Sequence, residues 1–139
     1  VQRRLSLRPL IAALAAQGQT PLNWPAPNGY PDQQGYWLNT AALLARWNFA
    51  LALFQRGADA PLHVDVAALR GTATTPAALV ERLATRLLHR PLANPARSLL
   101  VAYAAAGSDP SLPLASERLD ATTRELGALL LASPYHQYR

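Results

Sequence analysis

The residues best suited to chemistry in this chain gather in one short stretch. Trp24, Asn28, Tyr30, Asp32 and Trp37 fall within a run rich in Pro and Gly, and Arg46 and Asn48 follow closely behind it. Flat Trp and Tyr faces can stack on a sugar ring or a peptide, with Asn, Asp and Arg supplying hydrogen bonds at the edge. The same residues also have a structural use. Gly29 makes a turn, the prolines hold it, and Trp37 anchors it to a core. Arg46 and Asn48 then satisfy loop carbonyls, because buried polar groups need partners. Arg46 can fork two hydrogen bonds to those carbonyls or to Asp32. Long loops often carry function, but the density of anchors here favours the structural use.

Other chemistries find little support. His63-Val64-Asp65 places two ligand types together, but His89 and His136 lie on separate elements and no zinc-helix spacing exists, so no metal site is expected. Ser108-Asp109 and Ser116-Glu117 occupy cap or loop positions. There is no Gly-x-Ser-x-Gly elbow to expose a nucleophile and no phosphate loop of the Walker type, and no cofactor is expected. Glu117, Asp120 and Glu125 form a carboxylate group on a helix, but Arg118 and Arg124 flank them, which reads as a solvated ion-pair face. The absence of Cys excludes disulfides, thiolate metal sites and Cys nucleophiles.

Helices must position these residues. Ser6 can cap a first helix with Pro9 in its first turn, Leu7, Leu10, Ile11 and Leu14 on one face, and Gly18 as its stop. Residues 19–38 then form a long ordered loop, stiffened by Pro21, Pro25, Pro27 and Pro31 and turned at Asn28-Gly29. Asn39 or Thr40 caps a helix to about Arg56 whose apolar face is Leu43, Leu44, Trp47, Leu51 and Phe54, with Ala50. Residues 58–74 hold at most a helical turn near Val66 to Leu69. Thr75-Pro76 opens a helix to about His89, with Leu79, Val80, Leu83 and Leu87 inward. Asn94-Pro95 repeats that signal for Ala96 to Ala106. The last helix, about Ala115 to Ala132, turns Leu119, Leu126, Leu129 and Leu130 inward and ends before Pro134. No alternating strand pattern appears. The fold class is all-α: an irregular bundle of about five helices with a long ordered Pro/Gly/aromatic loop after the first.

The chain has 139 residues, half of them hydrophobic, enough for one domain with a real core. It begins with Val1 and contains no Met, so residues 1–139 read as a single helical segment of a larger domain whose amino-terminal part is missing. That missing part is the expected partner. No apolar run approaches the roughly 18 residues a membrane span needs. The net charge of +5 rests on 13 Arg and no Lys. Those Arg are scattered, without a stripe or interleaved aromatics, which argues against nucleic acid, although a basic module for polyanions stands as a weaker alternative.

The run Trp24-Pro25-Ala26-Pro27-Asn28-Gly29-Tyr30-Pro31, then Tyr36-Trp37-Leu38, then Leu43-Leu44-Ala45-Arg46-Trp47-Asn48-Phe49, resembles a bacterial family, the domain-of-unknown-function family 1800 (DUF1800). Gly18-Gln19 fits the Gly-Gln that precedes that family's Gly-Tyr-Pro loop. Leu131 to Gln137 is similar to its closing segment, with Tyr135 and His136 where an acidic residue and a Phe are expected. The resemblance implies a mostly helical carboxy-terminal portion of a longer bacterial protein, with export to the periplasm or outside among its locations. It implies no activity. The leading expectation is therefore a structural or ligand-binding module with an unknown ligand. The alternative is part of an enzyme, acting on a polymer or carbohydrate, whose site is completed by residues upstream of Val1.

Overall fold

The computed structural model describes residues 7–20, 22–37, 39–55, 57, 60 and 62–138. Among them there are helices and no strands, and the chain divides into two compact units, Val1–His63 and Val64–Arg139.

The first unit is built from α1 (Arg8–Ala16), a single turn α2 (Gln34–Trp37) and α3 (Thr40–Gln55). Ser6, the expected cap of α1, lies outside the described residues. Pro9 sits in the first turn, and Gly18 follows the helix at φ +76°, a conformation open to glycine at little cost. Asn39 starts α3: its Oδ1 accepts the Ala42 N–H at 2.8 Å. This is the side-chain cap that the sequence anticipates.

The packed face of α3 differs from the expected one. Ala42, Ala50 and Phe54 are buried, whereas Leu44, Trp47 and Leu51 are 52%, 40% and 43% exposed. The buried line runs at intervals of four through Ala42, half-buried Arg46, Ala50 and Phe54. Helices α1 and α3 pack against each other within this unit. Helix α1 has no buried residue, and Leu7 and Ile11 of its apolar face remain exposed.

The second unit contains α4 (Val66–Arg70), α5 (Pro76–Leu88), α6 (Ala96–Ala105), α7 (Ser116–Ala132) and α8 (Pro134–Gln137). Helix α5 is its axis and packs against all four others. Thr75 caps it, accepting the Ala78 N–H at 3.3 Å, with Pro76 at the first helical position, as the dipeptide signals. Asp65 caps α4 the same way, from Ala68 at 2.9 Å. The core joins Leu79, Val80, Leu83, Ala84 and Leu88 of α5 to Leu92, to Val101 and Ala104 of α6, and to Leu126 and Leu130 of α7.

Three details of this unit refine or correct the expectation. Leu87 packs against the core as expected but is only partly buried, and Leu88, the last residue of α5 before left-handed His89 at φ +56°, is buried as well. Leu129 is 44% exposed, whereas its neighbours Gly127, Ala128 and Leu130 are buried. Asn94-Pro95 does not repeat the Thr75-Pro76 start. That peptide is cis, Pro95 rather than Asn94 occupies the cap position, and no side-chain cap forms. Asn94 Oδ1 instead accepts the Ser98 hydroxyl at 3.5 Å.

Polar contacts tie the periphery together. The Leu114 N–H donates to Thr74 O at 2.9 Å, and Arg90 donates to Tyr135 O at 2.6 Å, holding α8 near the end of α5. Thr123, wholly buried, returns its hydroxyl proton to Leu119 O one turn back at 2.6 Å. Among the described residues no helix is long and apolar enough to cross a membrane.

Candidate functional site

The loop after α1 is organised around four aromatic rings. Trp24 meets Tyr30 at 4.9 Å between centroids and Tyr36 edge-on at 5.8 Å. Trp37 meets Tyr30 at 5.5 Å and Tyr36 at 5.1 Å. The tilted and edge-on arrangements are those that ring quadrupoles favour. The sequence reading takes residues 19–38 as loop throughout. In the structure the chain turns at Ala26–Gly29, with Gly29 at φ +73°, then coils into α2, which brings Tyr36 and Trp37 onto the ring cluster.

Two of the rings spend their polar tips inside the loop. The Trp37 indole N–H donates to Pro31 O at 2.7 Å, and the Tyr30 hydroxyl donates to Thr20 O. Prolines lack an N–H but keep their carbonyl, and here that carbonyl is the acceptor. The Trp24 indole nitrogen is buried without a hydrogen-bond partner among the described residues.

The remaining candidates stand apart from this cluster. Asn28 and Asp32 are exposed on the loop, and Asn48 is exposed on α3. Arg46 is half-buried, and among the described residues no hydrogen bond or ion pair joins Arg46 or Asn48 to the loop carbonyls or to Asp32. Of the seven residues read as a clamp or binding surface, the structure thus brings together Trp24, Tyr30 and Trp37, with Tyr36 as the fourth ring. Arg46→Ala is accordingly expected to change the unfolding free energy by no more than about 1 kcal/mol, the packing of a half-buried stem without a loop hydrogen bond. Urea titration of the two proteins checks this, and a loss of several times that size means that Arg46 holds the loop.

Beside the cluster lies a cleft of about 390 Å³. Its walls are alanines at the end of α1 and the start of α3, with Gln17, Gly18, Tyr36, Trp37 and Asn39. Gln17 and Asn39 did not stand out in sequence. The only local signals are that Gln17 immediately precedes the helix-stopping Gly18 and that Asn39 caps α3.

The other chemistry-bearing residues are dispersed. His63 lies with its Nδ1 2.9 Å from Ala60 O, Asp65 is the cap of α4, and His136 is on α8. Among the described residues no three His, Cys, Asp or Glu side chains converge as a metal site would require. The carboxylates of α7 find partners on other helices: Asp120 pairs with Arg70 at 3.4 Å, and Glu125 accepts the Tyr103 hydroxyl at 3.0 Å. That hydrogen bond, with burial and the negative charge of Glu125 adding to it, raises the Tyr103 pKa above the ordinary phenol value.

A sequence-family profile described as "Protein of unknown function (DUF1800)" matches residues 1–138. The chain belongs to the DUF1800 family. No curated protein and no solved structure matches it. Membership in DUF1800 fits the run from Trp24 to Phe49 that carries the resemblance, and it brings no activity with it.

Proposed function

We propose that residues 22–37 are a structural clamp that holds one rigid face of a helical module in a DUF1800 protein. The observation that carries this reading is the direction of the polar tips. Trp37 and Tyr30 use their N–H and O–H on the loop's own carbonyls, so these groups serve the loop before any ligand. Loops of this length are seldom ordered without such internal ties. The reading extends to the exposed row of Leu44, Trp47 and Leu51, an apolar face suited to packing against a further part of the same polypeptide.

Tyr30→Phe tests the clamp with the least disturbance, because it removes the hydroxyl and keeps the ring. Limited proteolysis is expected to cut within residues 22–33 faster in the variant by several-fold, consistent with loss of a hydrogen bond worth about 1 kcal/mol. Equal cleavage rates in the two proteins would remove the hydroxyl from the account of the loop. A binding-surface use of the same rings would instead show as ligand protection of these sites.

A further inference from the structure

The cleft beside the ring cluster contains a polar group that the clamp does not use. Gln17 is only 9% exposed and lines that cleft. Its side-chain amide is not sealed from solvent without a partner, so its polar atoms belong to the cleft wall rather than to the core. A primary amide carries two N–H donors and a carbonyl acceptor, a set suited to the hydroxyls of a ligand.

The neighbours define what would match it. Asn39 commits its Oδ1 to the Ala42 N–H, which leaves its NH₂ as a donor. Trp37 commits its N–H to Pro31, so toward the cleft it offers only ring surface. Tyr36 adds a second ring, half exposed. The remaining lining is Gly18 and alanine methyls, low walls that permit close approach.

Charge is the second constraint. Although the chain carries a net charge of +5, no Arg, His, Asp or Glu is among the described residues that line this cleft. An ionic ligand would lose hydration there and meet no counter-charge. The fitting ligand is uncharged, with hydrogen-bonding groups along one edge and an apolar face on the other side. A pyranose ring has that form: hydroxyls around the rim and a C–H face that packs on aromatic rings. At about 390 Å³ the cleft falls near the lower end of ligand pockets, roughly 300–1,000 Å³, enough for one or two rings. A peptide has the same mixture of groups, but it binds best along a sheet edge or a long helix groove, and the first unit presents no strand among its described residues.

We propose that the cleft formed by Gln17, Tyr36, Trp37 and Asn39 binds a neutral pyranose unit of a glycan. The two amides hydrogen-bond its hydroxyls, and the two rings pack on its C–H face. The site is separate from the clamp hydrogen bonds, so Tyr30→Phe and the variants below test different statements.

The experiment is saturation-transfer NMR and calorimetric titration of the full chain with cellobiose, sodium glucuronate and acetyl-tetraalanine amide. Cellobiose is expected to bind in the millimolar range, and the charged and peptide probes are not. Gln17→Leu keeps the side chain's bulk and removes the amide. It is expected to weaken cellobiose binding about tenfold while leaving the helical melt in place. Asn39→Asp retains the acceptor that caps α3 and removes the NH₂ donors, so it reports on the site even if Gln17→Leu fails to fold. It too is expected to weaken binding. No cellobiose signal with the wild-type chain, unchanged affinity in the folded variants, or preference for glucuronate or the peptide would each overturn the proposal. Unchanged affinity would mean that Gln17 holds only water.

Discussion

Leu83→Ala is expected to lower the unfolding free energy of the second unit by about 2–5 kcal/mol, with the upper half of that range favoured by its position. Leu83 is wholly buried on α5, the helix that packs against α4, α6, α7 and α8. Truncation removes the transfer free energy of the lost methyl groups and leaves a cavity. Neighbours from several helices cannot all collapse into that cavity without losing their own contacts. Typical domains are stable by only about 5–15 kcal/mol, so a loss of this size consumes a large share of the total. Leu99 of α6 supplies the control: it is 69% exposed, and Leu99→Ala is expected to stay within about 0.5 kcal/mol of wild type. All three Trp residues lie in the first unit, so backbone circular dichroism during urea titration is the measurement, not indole fluorescence. Equal transitions for Leu83→Ala and wild type would mean that α5 is not the axis of this core.

The second large effect concerns the loop. Trp37→Ala removes two ring contacts, to Tyr30 and Tyr36, and the hydrogen bond to Pro31 O. Aromatic pairs contribute about 0.5–1.5 kcal/mol each beyond area burial, and a hydrogen bond of this kind about 1 kcal/mol. Because Trp37 is only half-buried, the expected loss is about 2–3 kcal/mol of first-unit stability rather than the full cost of a core Trp. Trp37→Phe keeps a ring and loses the N–H, and it is expected to cost about 1 kcal/mol. Emission from Trp24 and Trp47 follows the first unit during urea titration, and proteolysis within residues 22–33 reports on the loop itself. The ordering Ala below Phe below wild type is the signature of a clamp. If all three unfold together and are cut at the same rate, the ring cluster is not what orders the loop.

The two substitutions probe structures that were legible to different degrees. Leu83 falls on a regular i, i+3, i+4 pattern opened by Thr75-Pro76, and both the helix and its inward face are readable from neighbouring residues. The ring cluster was legible only as composition. That Trp24, Tyr30, Tyr36 and Trp37 lie close in the chain says they can meet, but which ring tilts onto which depends on α2, a single turn with no cap or period long enough to announce it. Arg46 shows a different limit. Its place among apolar positions suggests a partner in the loop, and its spacing of four from Ala42 and Ala50 sets it half-buried on the covered line of α3.

The family membership, the all-α class and the starts and stops of most helices were thus determined by the sequence itself. Asn39, Asp65 and Thr75 cap through contacts three residues away, and Gly18 and Gly29 supply positive φ by lacking a Cβ, so each effect is complete within a few residues. Only the tertiary structure decided which stripe of α3 is covered, that Asp120 pairs with Arg70, and that Gln17 and Asn39 share a cleft with Tyr36 and Trp37. Those outcomes depend on how closely two helices approach. On α3 the covered line is Ala42, Ala50 and Phe54, and Leu44 and Trp47 stay outside despite their apolar area.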